Sequence, residues 1–211
     1  MSAQSPLLGP NFGLIETLRW TPAGGFWLKD LHDARLKTSA AALGFTHDSA
    51  ACAYALEQSV FSAAGPSRVR LELSFDGAVE ATRASFDPPA PDALWRVALA
   101  PQRFDSAEKM LRHKTTRREI YEKPLAESGA DEVIFCNERQ EVCEGARTNI
   151  FVERGGVLLT PPLASGLLPG VLRAHLLAEG RAKEAVLRLA DLRDGFFIGN
   201  SLRGLISARL G

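Results

Sequence analysis

The chain opens with residues of strand character and then changes period. "FGLIETLRW" (12–20) predicts a strand, and after a Pro/Gly turn "GFWLKD" predicts a second, shorter one. Apolar spacing of three and four then runs through "LHDARLKTSAAALGF" (31–45), a helix ending at Gly44. The same spacing returns in "DSAACAYALEQSVFSAAG" (48–65), with Asp48 as N-cap and Gly65 as the stop. Alternation resumes on both sides of Asp76-Gly77 and predicts a β-hairpin. The first half thus reads β-β-α-α-β-β, a small α+β unit on an antiparallel sheet.

"DPPAPD" (87–92) punctuates the chain, and "LWRVALA" after it predicts another strand. An irregular stretch, "PQRFDSAEKML", leads into "LRHKTTRREI" (111–120). "EIYEKPLAESG" predicts a helix broken or bent at Pro124. Residues 131–162 predict three strands, with tight turns at 137–140 and 154–156. "LLPGVLRAHLLAEG" predicts a helix with Pro169 near its first turn and Gly180 closing it. A short strand and helical turn follow, then a strand, a loop and a last strand through "FFIGNSLRGLISARL". The expected organisation is a small N-terminal lobe (1–102), an interlobe linker (103–111) and a larger, mostly β C-terminal lobe with flanking helices (112–211).

Composition narrows the class. The 211 residues are 45% hydrophobic and 24% charged, the balance of a globular protein with its own core. Lys+Arg and Asp+Glu both number 25, so no overall positive field exists to hold a polyanion, and nucleic acid is not an expected partner. No apolar run is long enough for a membrane span, and "MSAQSPLLGPNFG" lacks the pattern of a signal peptide. Three cysteines without a CxxC fit buried thiols in a reducing, cytoplasmic setting, and the four scattered histidines have no ligand spacing, so no metal is expected.

The candidate chemistry starts inside the basic run. Neighbouring positive charge and partial burial both lower a lysine's pKa, and Lys114 sits among Arg112, His113, Arg117 and Arg118 just past the linker. On this segment alone a surface lysine in a charged loop is the better account of Lys114. Three later segments add weight: "EGARTNIFV" with Glu144, "GLLPGVLR" with an anion-binding helix start, and "GNSLRGL" with small polar residues that admit a phosphate.

In this order and spacing, "HKTTRR", "EGARTNIF", "LLPGVLR" and "GNSLRGL" resemble the fold-type IV pyridoxal-phosphate enzymes, the branched-chain and D-amino-acid aminotransferase family. "FGLIETLRW", "LRHKTTRREIY" and "NSLRGLISARL" are most similar to its aminodeoxychorismate lyases, especially the lyase portion of fused aminobenzoate synthase components. The resemblance implies a two-lobed D-amino-acid aminotransferase-like fold, a pyridoxal 5'-phosphate cofactor and a homodimer, with an aminodeoxychorismate synthase as a further partner. It implies that Lys114 forms the Schiff base and shuttles the proton, and that Glu144 holds the pyridine nitrogen protonated. Arg35, the backbone N–H groups of Val171 and Leu172, and Ser201 would take the cofactor phosphate, with Thr148 and Asn149 beside the ring. Thr17 and Asn200 match positions near the substrate. Arg70 is the candidate for a substrate carboxylate, with Arg83 and Arg112 as the other choices.

The implied reaction converts 4-amino-4-deoxychorismate to pyruvate and 4-aminobenzoate, a folate precursor. The family's aminotransferases carry a tyrosine five residues after the lysine, and Glu119 stands there instead, which favours the lyase branch. The strands and "GDG" turn that precede "FET" in full-length members are also missing ahead of "IET". Two alternatives remain open: a D-amino-acid or branched-chain aminotransferase, and a phosphate or nucleic-acid binding module.

Overall fold

In the computed structural model, residues 11–211 are described, and the N-terminal residues read above for a signal sequence lie mostly outside them. Strand β1 (Leu14–Thr21) pairs antiparallel with the short β2 (Gly25–Phe26) and with β3 (Ser67–Leu73), which pairs with β4 (Val79–Ser85). The order β2-β1-β3-β4 makes one four-stranded sheet. Helices α1 (Lys29–Leu43) and α2 (Ser49–Val60) cover one face, packing Leu36, Ala40, Cys52 and Leu56 on Leu14, Leu18, Val69 and Leu71. Full burial of each such leucine or valine contributes roughly 1.5–3 kcal/mol. Asp48 caps α2 by accepting from the N–H groups of Ala50 and Ala51, and Gly44 closes α1 in the left-handed region (φ 75°).

Eight further strands form the second sheet: β5 (Leu94–Phe104), β6 (Glu132–Asn137), β7 (Val142–Gly145), β8 (Asn149–Arg154), β9 (Val157–Thr160), β10 (Ala182–Glu184), β11 (Phe196–Asn200) and β12 (Gly204–Leu210). Their order is β10-β9-β8-β11-β12-β5-β6-β7. β5 runs parallel to both β12 and β6, and β10 runs parallel to β9; the other pairs are antiparallel. β7 and β8 stand far apart in that order, yet Gly145 N–H donates to the Thr148 carbonyl at 2.7 Å. The sheet therefore curls until those strands meet. Helices α3 (Glu119–Ser128) and α4 (Val171–Ala178) pack on it.

Four expectations need correction. The second strand stops at Phe26: Trp27 N–H still reaches the Arg19 carbonyl at 2.9 Å, but Leu28 turns into the left-handed region (φ 56°) and starts α1. Residues 142–154 form two strands, not one. The break at 146–148 is held by the fully buried Glu132, which accepts from the N–H groups of Ala146 and Arg147 and from the Thr148 hydroxyl, each at 3.1 Å. The change of sheet falls between Ser85 and Leu94 and not at 103–111, since β5 already pairs with β6 and β12. Finally, α3 continues through Pro124. Proline leaves the Ile120 carbonyl without its helical donor, and Gln102 Nε2 supplies one at 3.0 Å.

Glu132→Ala should lower stability by about 3 kcal/mol, since it strands the Arg147 N–H and Thr148 hydroxyl in a buried turn. The midpoint of urea unfolding measures this, and an unchanged midpoint would mean that the turn holds itself.

Candidate active site

Lys114 belongs to no named strand but is fixed like one. Its carbonyl accepts from Ile15 N–H at 2.9 Å, Thr116 N–H donates to the Gly13 carbonyl at 2.9 Å, and Gly13 N–H donates to the Thr116 hydroxyl at 3.1 Å. Thr115 bridges antiparallel to Leu14. On the other flank, His113 Nδ1 lies 3.0 Å from the Ser39 hydroxyl of α1. The segment is thereby stitched to the small sheet while leading into α3 on the large one.

Beneath it opens a cavity of about 240 Å³, lined by residues from both sheets. Ten of the eleven site residues expected from the sequence line it: Thr17, Arg35, Arg70, Lys114, Glu144, Thr148, Asn149, Val171, Asn200 and Ser201. The eleventh, Leu172, turns its side chain into the apolar cluster of Phe151, Leu176 and Ala182, which leaves only its backbone for a ligand. Of the alternative carboxylate ligands, neither Arg83 nor Arg112 lines the cavity. Arg83 pairs in register with the core residue Val69, and its Nε donates to the Ser59 carbonyl of α2 on the far face.

Burial sets the protonation of the two central groups. It lowers the Lys114 ammonium to about pKa 7, with Arg118 and Arg35 pushing the same way against Glu16 and Glu144. Burial likewise raises the Glu144 carboxyl to about 7, opposed by the Leu168 N–H, Tyr121, Arg118 and Lys114. The Tyr121 hydroxyl donates to Glu144 Oε1 at 3.0 Å and Leu168 N–H to Oε2 at 3.2 Å, so this carboxyl has a fixed orientation. Tyr121 is itself locked edge-on to Phe104 and Phe135, with the Arg118 guanidinium 4.2 Å from its ring centre.

Arg35 reaches the cavity from α1 and is held from below. Its Nε and Nη2 donate to Glu16 Oε1 and Oε2 at 2.8 and 2.5 Å, and its Nη1 donates to the Pro169 carbonyl at 3.2 Å. His32, one helical turn earlier, lies 2.6 Å from Glu16 Oε2 through Nδ1. Burial opposes a charge on Glu16, but Arg35 and His32 outweigh it and hold the carboxyl at about pKa 2. Burial also lowers the His32 pKa, leaving a neutral ring whose Nδ1–H donates to the carboxylate. The strand reading passed over Glu16, although the signal was present: Leu14, Glu16 and Leu18 share one face, where an acid requires a partner.

Helix α4 starts at Gly170 with no side-chain cap, so its first N–H groups remain available at the cavity wall. A Cβ at 170 would overlap the Asn149 amide oxygen, and that amide donates to the Leu168 carbonyl at 3.2 Å. Asn200 lines the cavity with its side-chain amide already engaged. Its Oδ1 accepts from the N–H groups of Leu202 and Arg203, and its Nδ2 donates to the Arg147 carbonyl at 2.9 Å, so it shapes the loop that carries Ser201. The cavity also gathers Arg68, Arg118, Arg147 and Arg203, which the sequence reading did not assign to it. In all, seven cations and two acids, Glu122 and Glu144, line it.

The sequence profile of the Amino-transferase class IV family matches residues 13–210. A crystal structure of a "Putative amino-acid aminotransferase" from Mesorhizobium loti is 47% identical, superposes with a TM-score of 0.91, and covers 95% of this chain and 100% of its own. A "Putative 4-amino-4-deoxychorismate lyase" from Legionella pneumophila shares the fold at 23% identity and TM-score 0.79, over 94% of this chain and 82% of its own. A "Probable branched-chain-amino-acid aminotransferase" from Thermotoga maritima is 29% identical over 85 residues, 37% of this chain. The match spans only 31% of that protein's length.

Enzymes of this family depend on pyridoxal phosphate, and the cavity suits it. An uncapped helix start, Arg35 and the Ser201 hydroxyl could take a phosphate, Lys114 would meet an aldehyde and Glu144 a pyridine nitrogen.

The Glu16 pairing should show in the pH dependence of folding. Its folded pKa lies below the ordinary value of 4.5, so its contribution, about 3 kcal/mol, is complete above pH 4.5 and lost as pH falls toward 2. Glu16→Gln should be less stable at neutral pH and show a shallower loss between those pH values. Parallel acid limbs for the two proteins would remove Glu16 from that role.

Proposed function

The chain belongs to the class IV aminotransferase family of pyridoxal-phosphate enzymes, and we propose that within it the protein is a 4-amino-4-deoxychorismate lyase, releasing pyruvate and 4-aminobenzoate. The observation that carries this reading is the charge of the cavity: seven cations against two acids, with no aromatic side chain among its lining residues. One phosphate accounts for Arg35 and the helix start. The remaining guanidinium groups suit a substrate that brings two carboxylates of its own, as aminodeoxychorismate does, and suit a branched aliphatic side chain poorly.

Bound pyridoxal phosphate supplies an electron sink for the pair released when a proton leaves the amine-bearing carbon. Lys114, neutral near pH 7, accepts that proton at Nζ. Glu144, oriented by Tyr121 and Leu168, would hold the ring nitrogen and keep its proton in place. As the six-membered ring becomes aromatic the enolpyruvyl C–O bond breaks, and the proton taken up by Lys114 returns to the departing methylene carbon, giving pyruvate. Glu119, where the aminotransferases carry tyrosine, is exposed at the start of α3 and contributes nothing to the cavity wall, which also supports the lyase branch. A cytoplasmic homodimer and a synthase partner that delivers the substrate belong to the same proposal.

A second reading is an amino-acid aminotransferase, favoured by the 47% identity to the Mesorhizobium loti protein of that description. The two differ in stoichiometry. The lyase should release one pyruvate per aminodeoxychorismate with no keto acid present; pyruvate-free turnover that requires a keto acid would establish the aminotransferase. Lys114→Ala should lower turnover at least about a thousandfold, and borohydride reduction of the loaded protein should mark the peptide containing Lys114. In the wild type, kcat/KM should fall below about pH 7, where Lys114 takes up a proton and Glu144 loses its charge.

A further inference from the structure

Three of the cavity's guanidinium groups are left over once the cofactor, the central pair with Arg118 beside it, and the Arg70–Glu72 ion pair are provided for. Arg203 lies in the turn shaped by Asn200, Arg147 in the break held by Glu132, and Arg68 projects from β3 on the face that carries Arg70. Arg147 and Arg203 flank a single indole, each with its guanidinium carbon 5.8 Å from the Trp95 ring centre. Among the described residues neither Arg68 nor Arg203 forms an ion pair, and the nearest acid to Arg147 is the buried Glu132, at 4.0 Å. Arg70, by contrast, is already paired with Glu72 at 3.0 Å.

Like charges gathered at a half-desolvated wall repel one another, and burial together with Arg147 and Arg68 accordingly lowers the Arg203 pKa. Such an arrangement is costly until an anion enters. Trp95 lies within cation–π range of two of the three forks, and Arg147 Nη2 also donates to the Asp131 carbonyl at 2.7 Å. Part of their side-chain freedom is thus already lost before they grip a planar oxyanion. The arrangement differs from the Arg35 end of the cavity, where Glu16 already answers the charge.

We propose that Arg68, Arg147 and Arg203 form a carboxylate subsite, with Arg203 as its centre, that selects substrates carrying a second carboxylate. On the lyase reading above, this is the carboxylate farther from the amine. The subsite thus moves the expected ligand from Arg70 to its neighbour two residues back and to two arginines on the opposite sheet.

The test measures binding to the pyridoxal-phosphate-loaded protein without turnover, with isophthalate and benzoate as dicarboxylate and monocarboxylate probes. The wild type should bind isophthalate at least about tenfold more tightly than benzoate, and Arg203→Gln should remove that preference while leaving benzoate affinity and cofactor occupancy unchanged. Arg68→Gln, at an exposed position of β3, should weaken isophthalate in the same direction and covers the case in which the Arg203 variant does not fold. Equal affinity for the two probes in the wild type, or a retained preference in a folded variant, overturns the subsite. So does loss of cofactor from Arg203→Gln, which would assign the cluster to the phosphate. None of these outcomes depends on whether pyruvate is released, so a failed lyase assay and a failed subsite remain distinguishable.

Discussion

The site depends on one short backbone contact, the bridge between residues 13–15 of the first strand and residues 114–116 of the basic segment. Each strand partner supplies one N–H and one carbonyl, and the Thr116 hydroxyl adds a third bond. Net backbone hydrogen bonds are worth only about 1 kcal/mol each, so the bridge is not a large stabilising term. Its importance is positional. It places Lys114 at the cavity that residues of both sheets line, and the bond from Arg35 to the Pro169 carbonyl is a second tie across it.

Closure has an electrostatic consequence. A lysine and a glutamate removed from water shift toward their neutral forms, and both arrive near pKa 7. Attraction between the two would drive them apart in pKa, the lysine upward and the glutamate downward. Desolvation is the larger influence on each, and two arginines assist it at the lysine. Glu16 is the opposite case. It is equally removed from solvent, yet a bidentate guanidinium and an imidazole N–H supply more than burial withdraws. The same environment therefore yields one poised carboxyl and one permanently ionised carboxylate, and the difference lies in whether arginine forks onto the acid.

How far the sequence predicts this arrangement depends on the range of the interaction. Helices α1 and α2 follow from local periodicity and from Asp48 and Gly44, and Lys114, Glu144 and Ser201 follow from motif order. Long-range effects hide the remainder. The split of residues 142–154 is enforced by Glu132, which lies before that segment and reads locally as the first residue of a strand. The passage of α3 through Pro124 rests on Gln102 from another strand. Arg70 and Arg83 look interchangeable on one hairpin, but their registers place them on opposite faces. Arg147 and Arg203 sit inside the quoted motifs and still escaped assignment, because only the curled sheet brings their loops to one indole.

The basic run "LRHKTTRREI" shows why charge counted along a chain is a weak guide to charge in a site. Of its five cations, only Lys114 and Arg118 line the cavity. His113 is engaged by Ser39, and Arg117 lies 4.7 Å over the Phe12 ring. The cavity instead draws its positive charge from five separate segments, while the whole chain balances at zero. A neutral protein can therefore hold a strongly cationic chamber, provided that its acids face elsewhere. Screening by salt acts on the outer surface far more than on a partly buried wall. The field felt by a bound dianion is thus set by the few residues that folding assembles, and scarcely at all by the net charge of the chain.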